Sequence, residues 1–165
     1  AARSLGQMCE DGQLVPADPA LGVTWYRIAS DAGDCEAGLQ LARCHEHGIG
    51  VKKNVGEAVH TYRDLAIRGY LPAQLAVARC YEKGVGVPQD CKEALSWYRQ
   101  AAEQGDVGTQ FNLGWKLDHG DGLAKDPSEA AKWYRKAAEQ GNAAAQNNLG
   151  VMYARGDGVD RKSVV

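Results

Sequence analysis

Cys44-His45-Glu46-His47 is the one stretch of this chain that resembles a metal site or a nucleophile site. Thiol and imidazole groups are zinc ligands, and they also form the nucleophile–base pairs of covalent catalysis. The spacing argues against both roles. Two histidines at i and i+2 point to different sides of a helix, so His45 and His47 cannot easily share one ion, and the run matches no zinc-ligand spacing. The Gly-x-Gly stretches, such as Gly84-Val85-Gly86, resemble phosphate cradles. A phosphate loop needs a strand before it and a helix start after it. Here a helical pattern precedes, and the motif recurs along the chain, which makes it a connector between helices. Lys162-Ser163-Val164-Val165 resembles a ligand for domains that capture a carboxyl terminus. Asp160, however, stands where the cap of another helix belongs, so this end reads as a chain cut or diverging inside a repeat. No residue is assigned to catalysis, to a cofactor or to a metal.

These residues sit in a strict repeat. Gly12, Gly48, Gly84, Gly120 and Gly156 are 36 residues apart, and Gly33, Gly69, Gly105 and Gly141 keep the same period. Tyr26, Tyr62, Tyr98 and Tyr134 recur with them, three preceded by Trp25, Trp97 and Trp133. A fixed period in this range marks a solenoid. The repeats fall at 1–34, 35–70, 71–106 and 107–142, with a partial one at 143–165, and are expected to form a single solenoid domain. The register gives the histidine cluster a plainer meaning. His45 takes the place of Tyr81 and Tyr153, a packing position. His47 aligns with Lys83, His119 and Arg155, cations that favour the last turn of a helix. Cys44 and Cys80 share a position with Met8 and Met152, as small buried apolar residues do.

Within the third repeat, Ala73, Val77, Ala78 and Tyr81 define one face of a helix over 71–83, which Gly84 ends. Asp90 with Glu93 predicts a capping box for a second helix from about 91 to 104, closed by Gly105. Asn54 with Glu57 and Asp126 with Glu129 repeat the device, and Pro19 and Pro127 suit the first helical position. Each unit is thus a helix–loop–helix hairpin whose helices are roughly 20 Å long. Small residues at Ala42, Ala78, Gly114 and Gly150 let the second helix approach, beside a large Trp-Tyr pair. Thr61 replaces the tryptophan in the second repeat, where looser packing is expected.

These motifs resemble the Sel-one-like repeat family, a relative of the tetratricopeptide repeat. The resemblance rests on Leu149-Gly150 with Tyr153, on the Gly84–Val87 loop, and above all on Trp-Tyr-x-x-Ala-Ala-x-x-Gly at 97–105 and 133–141. It covers essentially the whole chain. Repeat one departs at Leu14 and Gly22, and repeat two at Thr61 and Leu65-Ala66. The resemblance implies an all-α fold, a right-handed α-α superhelix of helix–loop–helix repeats. It also implies a protein-binding scaffold or adaptor, of the kind used in signalling, secretion or host interaction, with no shared catalytic activity.

Composition bounds the partners. A net charge of −2 supplies no basic field for nucleic acid or anionic membrane. No apolar run approaches the roughly 18 residues of a spanning helix. The five cysteines do not recur once per repeat, so they are expected as free thiols, a pointer toward a reducing compartment that leaves export open. The chain opens on Ala1 inside the repeat pattern and is expected to be a fragment or a processed form. Uncapped end repeats could then associate end to end.

The first helices are expected to line the concave face. Their outward positions are Gln7, Glu10 and Asp11; Leu39, Arg43, Glu46 and His47; Leu75, Arg79, Glu82 and Lys83; Phe111, Trp115, Asp118 and His119; then Asn147, Val151 and Arg155. Phe111 and Trp115 break the period, lie four residues apart, and share a helical face. A non-recurring aromatic pair near arginines has the composition of a binding hot spot. The expected function is therefore a non-enzymatic scaffold holding a peptide or protein segment in that groove. The alternatives are a metal or enzymatic role for Cys44, His45 and His47, or a purely architectural piece of a longer solenoid.

Overall fold

The computed structural model describes residues 1–11 and 17–158. The Asp11 side chain, Gly12, Leu14, Asp160 and the carboxyl-terminal residues 162–165 lie outside that description. Among the described residues the secondary structure is entirely α-helical: α1 (Ala2–Asp11), α2 (Pro19–Asp31), α3 (Cys35–His47), α4 (Val55–Ile67), α5 (Leu71–Lys83), α6 (Cys91–Glu103), α7 (Val107–His119), α8 (Pro127–Glu139) and α9 (Ala143–Arg155). Two compact units result. One comprises Ala1–Cys80 with Gly84–Gln89, the other Tyr81–Lys83 with Asp90–Val165.

The helix boundaries follow from local chemistry. Gly84 closes α5 at φ 69°, and its N–H returns to the Cys80 carbonyl. An L side chain would strain that left-handed backbone, which is why glycine recurs there. At the start of the second helices, Asp18, Asn54, Asp90 and Asp126 each accept a free amide of the first turn through a side-chain oxygen. The reciprocal half of the expected capping box does not form. The cap N–H groups of Asn54, Asp90 and Asp126 donate instead to His45, Tyr81 and Leu117 carbonyls, at 2.8, 2.9 and 2.9 Å. The chain thereby ties the start of each second helix to the end of the first. Glu129 is left free to accept from the Trp133 indole at 3.2 Å and to pair with Arg99.

In the first unit, Val23, Tyr26 and Ala29 pack with Ala37 and Cys44, flanked by Leu41, Ile49 and Val51. A Cβ on Gly6 would lie 2.7 Å from the Tyr26 ring, so glycine is what admits the tyrosine. Gly114 does the same for Tyr134 in the second unit, at 2.9 Å. Successive hairpins are also stitched by side-chain amides. Gln74 donates to the Ala66 carbonyl at 3.2 Å, Gln110 to Ala102 at 3.1 Å, and Gln146 to Ala138 at 3.1 Å. Gly38 occupies that register in the second repeat, and Leu65 fills the vacated space, its methyls 3.2–3.3 Å from where a Cβ would stand. A cavity of about 400 Å³ opens beside α4 among Gly56, Val59, His60, Arg63, Asp64, Ile67, Gly86 and Val87. Thr61 is not in its lining and donates to the Glu57 carbonyl at 3.0 Å.

Candidate binding surface

The outward register of the first helices is less uniform than its sequence suggests. Leu39, expected on the surface, is only 3% exposed and belongs to the core. The carboxylates are drawn inward by a recurring bond. Tyr26 donates to Glu10 at 2.9 Å, Tyr62 to Glu46 at 2.7 Å, and Tyr98 to Glu82 at 2.6 Å, each pair 16 residues apart. Burial, then the neighbouring Glu46, pushes the Tyr62 phenol far above its usual range, so it stays a donor at any ordinary pH. Glu82 is consequently buried at 8% exposure, and Glu46 is half-buried. These two residues, expected as partner contacts, are structural acceptors. Asp118, one methylene shorter, is half-buried and forms no such bond.

The remaining surface divides by unit. In the first, Arg43, His47 and Arg79 are exposed and Leu75 is half-buried. In the second, Lys83 and His119 are exposed, and Trp115 is 40% exposed. Trp115 stacks on His119 with ring centroids 4.5 Å apart and planes at 21°, while His119 Nδ1 lies 3.0 Å from the Trp115 carbonyl oxygen. Phe111 has a different ring partner. It is half-buried and packs on the Tyr134 ring at 5.8 Å. The two aromatics thus share a helical face but pack on different partners. Val151, at the Trp115 register on α9, is 39% exposed, and Asn147 and Arg155 beside it are exposed too.

The cysteine–histidine run does not assemble into reactive geometry. Cys44 is buried, and its thiol is pushed up to about 11, first by burial and then by the Glu10 charge. That is the opposite of what a nucleophilic cysteine requires. His45 Nδ1 is buried without a hydrogen-bond partner, and exposed His47 lies 4.0 Å from Glu46. Among the described residues, no group of three or more His, Cys, Asp or Glu side chains could hold a metal ion.

One residue escaped the sequence reading. Lys116 stands where Cys44 and Cys80 stand in earlier repeats, a register read as buried and apolar. Its ammonium reaches Glu82 at 2.6 Å and Asp121 at 3.3 Å, and lies 5.6 Å from the centre of the Tyr98 ring. A lysine breaking a Met/Cys register was the available signal, just as tryptophan breaking an arginine register was for Trp115.

Helix–loop–helix hairpins recurring at a fixed period define a helical-repeat protein. The chain belongs to the Sel1 repeat family, whose model matches residues 1–34, 36–62, 71–106, 109–142 and 143–163. It is similar to a Sel1 repeat protein from Oxalobacter formigenes at 34% identity and a TM-score of 0.76, over 96% of this chain and 64% of that one. It is likewise similar to a protective antigen of uropathogenic Escherichia coli with an SLR fold, at 37% identity and a TM-score of 0.80. That match covers 97% of this chain and 34% of the antigen. Helicobacter pylori cysteine rich protein B, at 22% identity and a TM-score of 0.57, shares the fold over 84% of this chain and 99% of its own. A 49-residue stretch is 37% identical to DAP3-binding cell death enhancer 1 of Rattus norvegicus, covering 30% of this chain and 10% of that protein. The chain thus spans only part of most relatives it matches. The fold is the all-α helical-repeat solenoid of this family, which typically serves protein–protein interaction and is typically non-enzymatic. No described helix is long and apolar enough to cross a membrane.

Proposed function

We propose that this chain is a non-enzymatic adaptor that holds a peptide or protein segment against the outward, concave face of its first helices. Trp115 is its principal anchor in the second unit. The observation that carries the reading is the state of that side chain. It is 40% exposed at a register filled elsewhere by Arg43, Arg79 and Val151, and it is held flat against His119. A pre-ordered indole loses little rotamer freedom on binding and offers a large apolar area, as hot-spot residues do. Val151 extends the apolar character on α9, and Lys83, His119 and Arg155 supply a polar rim. Leu75 contributes apolar area in the first unit, beside Arg79.

The test is a selection of peptides from a random display library against the intact chain, followed by affinity measurement on Trp115→Ala. Selected peptides should lose about 2 kcal/mol, more than tenfold in affinity. Unchanged affinity across the selected set would remove Trp115 and the face it marks from the proposal.

A further inference from the structure

The first unit carries a charge asymmetry that composition hides. On α1 and α3 the carboxylates of Glu10 and Glu46 accept from Tyr26 and Tyr62 at 2.9 and 2.7 Å, and both are half-buried. The cations on the same outward face have no such engagement. Arg43 on α3 and Arg79 on α5 are exposed, at one register position of neighbouring repeats. Arg43 reaches only the Gln40 amide oxygen, at 3.4 Å. Among the described residues, no carboxylate lies within ion-pair distance of either guanidinium. Arg99 on α6 is matched by Glu129 on α8, which raises the arginine and lowers the glutamate from their ordinary values through their mutual hydrogen bond. The free pair is no by-product of a basic chain either, since the net charge is −2.

We infer that the α3–α5 face of the first unit binds an acidic peptide segment, with Arg43 and Arg79 pairing to Asp or Glu carboxylates of the partner. A guanidinium presents a rigid fork of donors that matches a carboxylate, and exposed cations with their own acids withdrawn attract an anionic segment. Two such forks, one repeat apart, select a run of acids over a single one. A nucleic acid is a poorer occupant, because two arginines on a net-negative chain neutralise too few phosphates to hold a polyanion at physiological salt. This inference rests on the adaptor reading, but it uses residues separate from Trp115.

The experiment is fluorescence anisotropy of the full chain with two labelled twelve-residue peptides, one rich in glutamate and the other with every glutamate replaced by glutamine. The acidic probe should bind at least tenfold tighter, and its advantage should shrink as salt rises from about 50 to 300 mM. Arg43→Glu and Arg79→Glu should each weaken it about tenfold. Arg63→Glu, which reverses an exposed charge on α4, should leave it unchanged. Equal binding of the two probes overturns the inference. So does an equal loss with Arg63→Glu, or better competition by a single-stranded oligonucleotide than by unlabelled acidic peptide. If the charge effect fails while Trp115-dependent binding of selected peptides persists, the adaptor reading survives without it. If Trp115→Ala leaves selected peptides unaffected while the arginine effect holds, the anchor is wrong and the acidic site stands.

Discussion

Two regions of this molecule solve one packing problem with different chemistry. In the first unit, the Tyr62–Glu46 bond lies beside Cys80, whose thiol is pushed up to about 11 by burial and then by the Glu46 charge. In the second, the Tyr98–Glu82 bond lies beside Lys116, whose ammonium is 2.6 Å from the same carboxylate. Backbone and hydrogen bond are equivalent, 36 residues apart, and only the neighbour differs. The neutral thiol tolerates the carboxylate but gives it nothing. The lysine answers its charge, and Glu82 is buried where Glu46 is half-buried. A solenoid register thus fixes where a polar group lies, while the neighbouring repeat decides what removing it costs.

The largest expected effect separates the two nodes directly. Glu82→Ala strips the partner from buried Tyr98 and leaves Lys116 only the exposed Asp121 carboxylate at 3.3 Å, and should cost about 3 kcal/mol. Glu46→Ala removes one hydrogen bond and only a 4.0 Å contact with exposed His47, and should cost about 1–2 kcal/mol. Urea denaturation followed by far-UV circular dichroism measures both. Equal losses would mean that Lys116 contributes nothing and that the contrast is only geometric.

A smaller effect tests the thiol side. Cys44 and Cys80 are held near 11 against an ordinary 9.0, so the folded state favours the neutral thiol. A group whose folded pKa is raised contributes stability below its unfolded value and loses it as pH climbs toward the folded one. Stability should therefore fall between pH 9 and 11, and Cys44→Ala with Cys80→Ala should flatten that decline. At pH 8 a thiol-specific disulfide reagent should label exposed Cys91 well before either buried cysteine. Rapid labelling of Cys80 in the native state would count against the arrangement.

Recurrence made the fold legible, and the same recurrence obscured part of the surface. Glycine and Trp-Tyr ladders located the helices, because backbone conformation and ring volume are local demands that repeat with the chain. Glu10, Glu46 and Glu82 recurred alongside three of the four tyrosines. Spacing alone could not say that they point inward, because the phenol that draws them in lies on the next helix. Leu65 looked like a weakened repeat until Gly38 proved to be its complement, a pair separated by a full helix and loop. Trp115 was legible because nothing else in its column is aromatic. Lys116 was equally anomalous, but its meaning needed the partner carboxylate in view.

The fourth repeat sharpens the comparison from the opposite side, because there the bond is missing. Asp118 replaces the glutamate, and Tyr134 Oη is buried without a hydrogen bond of good geometry, although Asn148 lies close by. Burial pushes that phenol up to about 12, with Asn148 opposing the rise and Asp118 adding to it. A buried hydroxyl without a full partner carries its desolvation cost uncompensated. Asp118→Glu restores the methylene that the other repeats possess and should stabilise the fold by about 1 kcal/mol. The diagnostic lies in a second substitution. Tyr134→Phe should be nearly neutral in the parent, because no good bond is lost, but should cost about 1 kcal/mol once Glu occupies position 118. Tyr98→Phe, which breaks an existing bond, should be costly from the start. If Tyr134→Phe and Tyr98→Phe cost the same in the parent, the tyrosine–carboxylate bond is incidental to the repeat, and ring packing alone holds the two helices together.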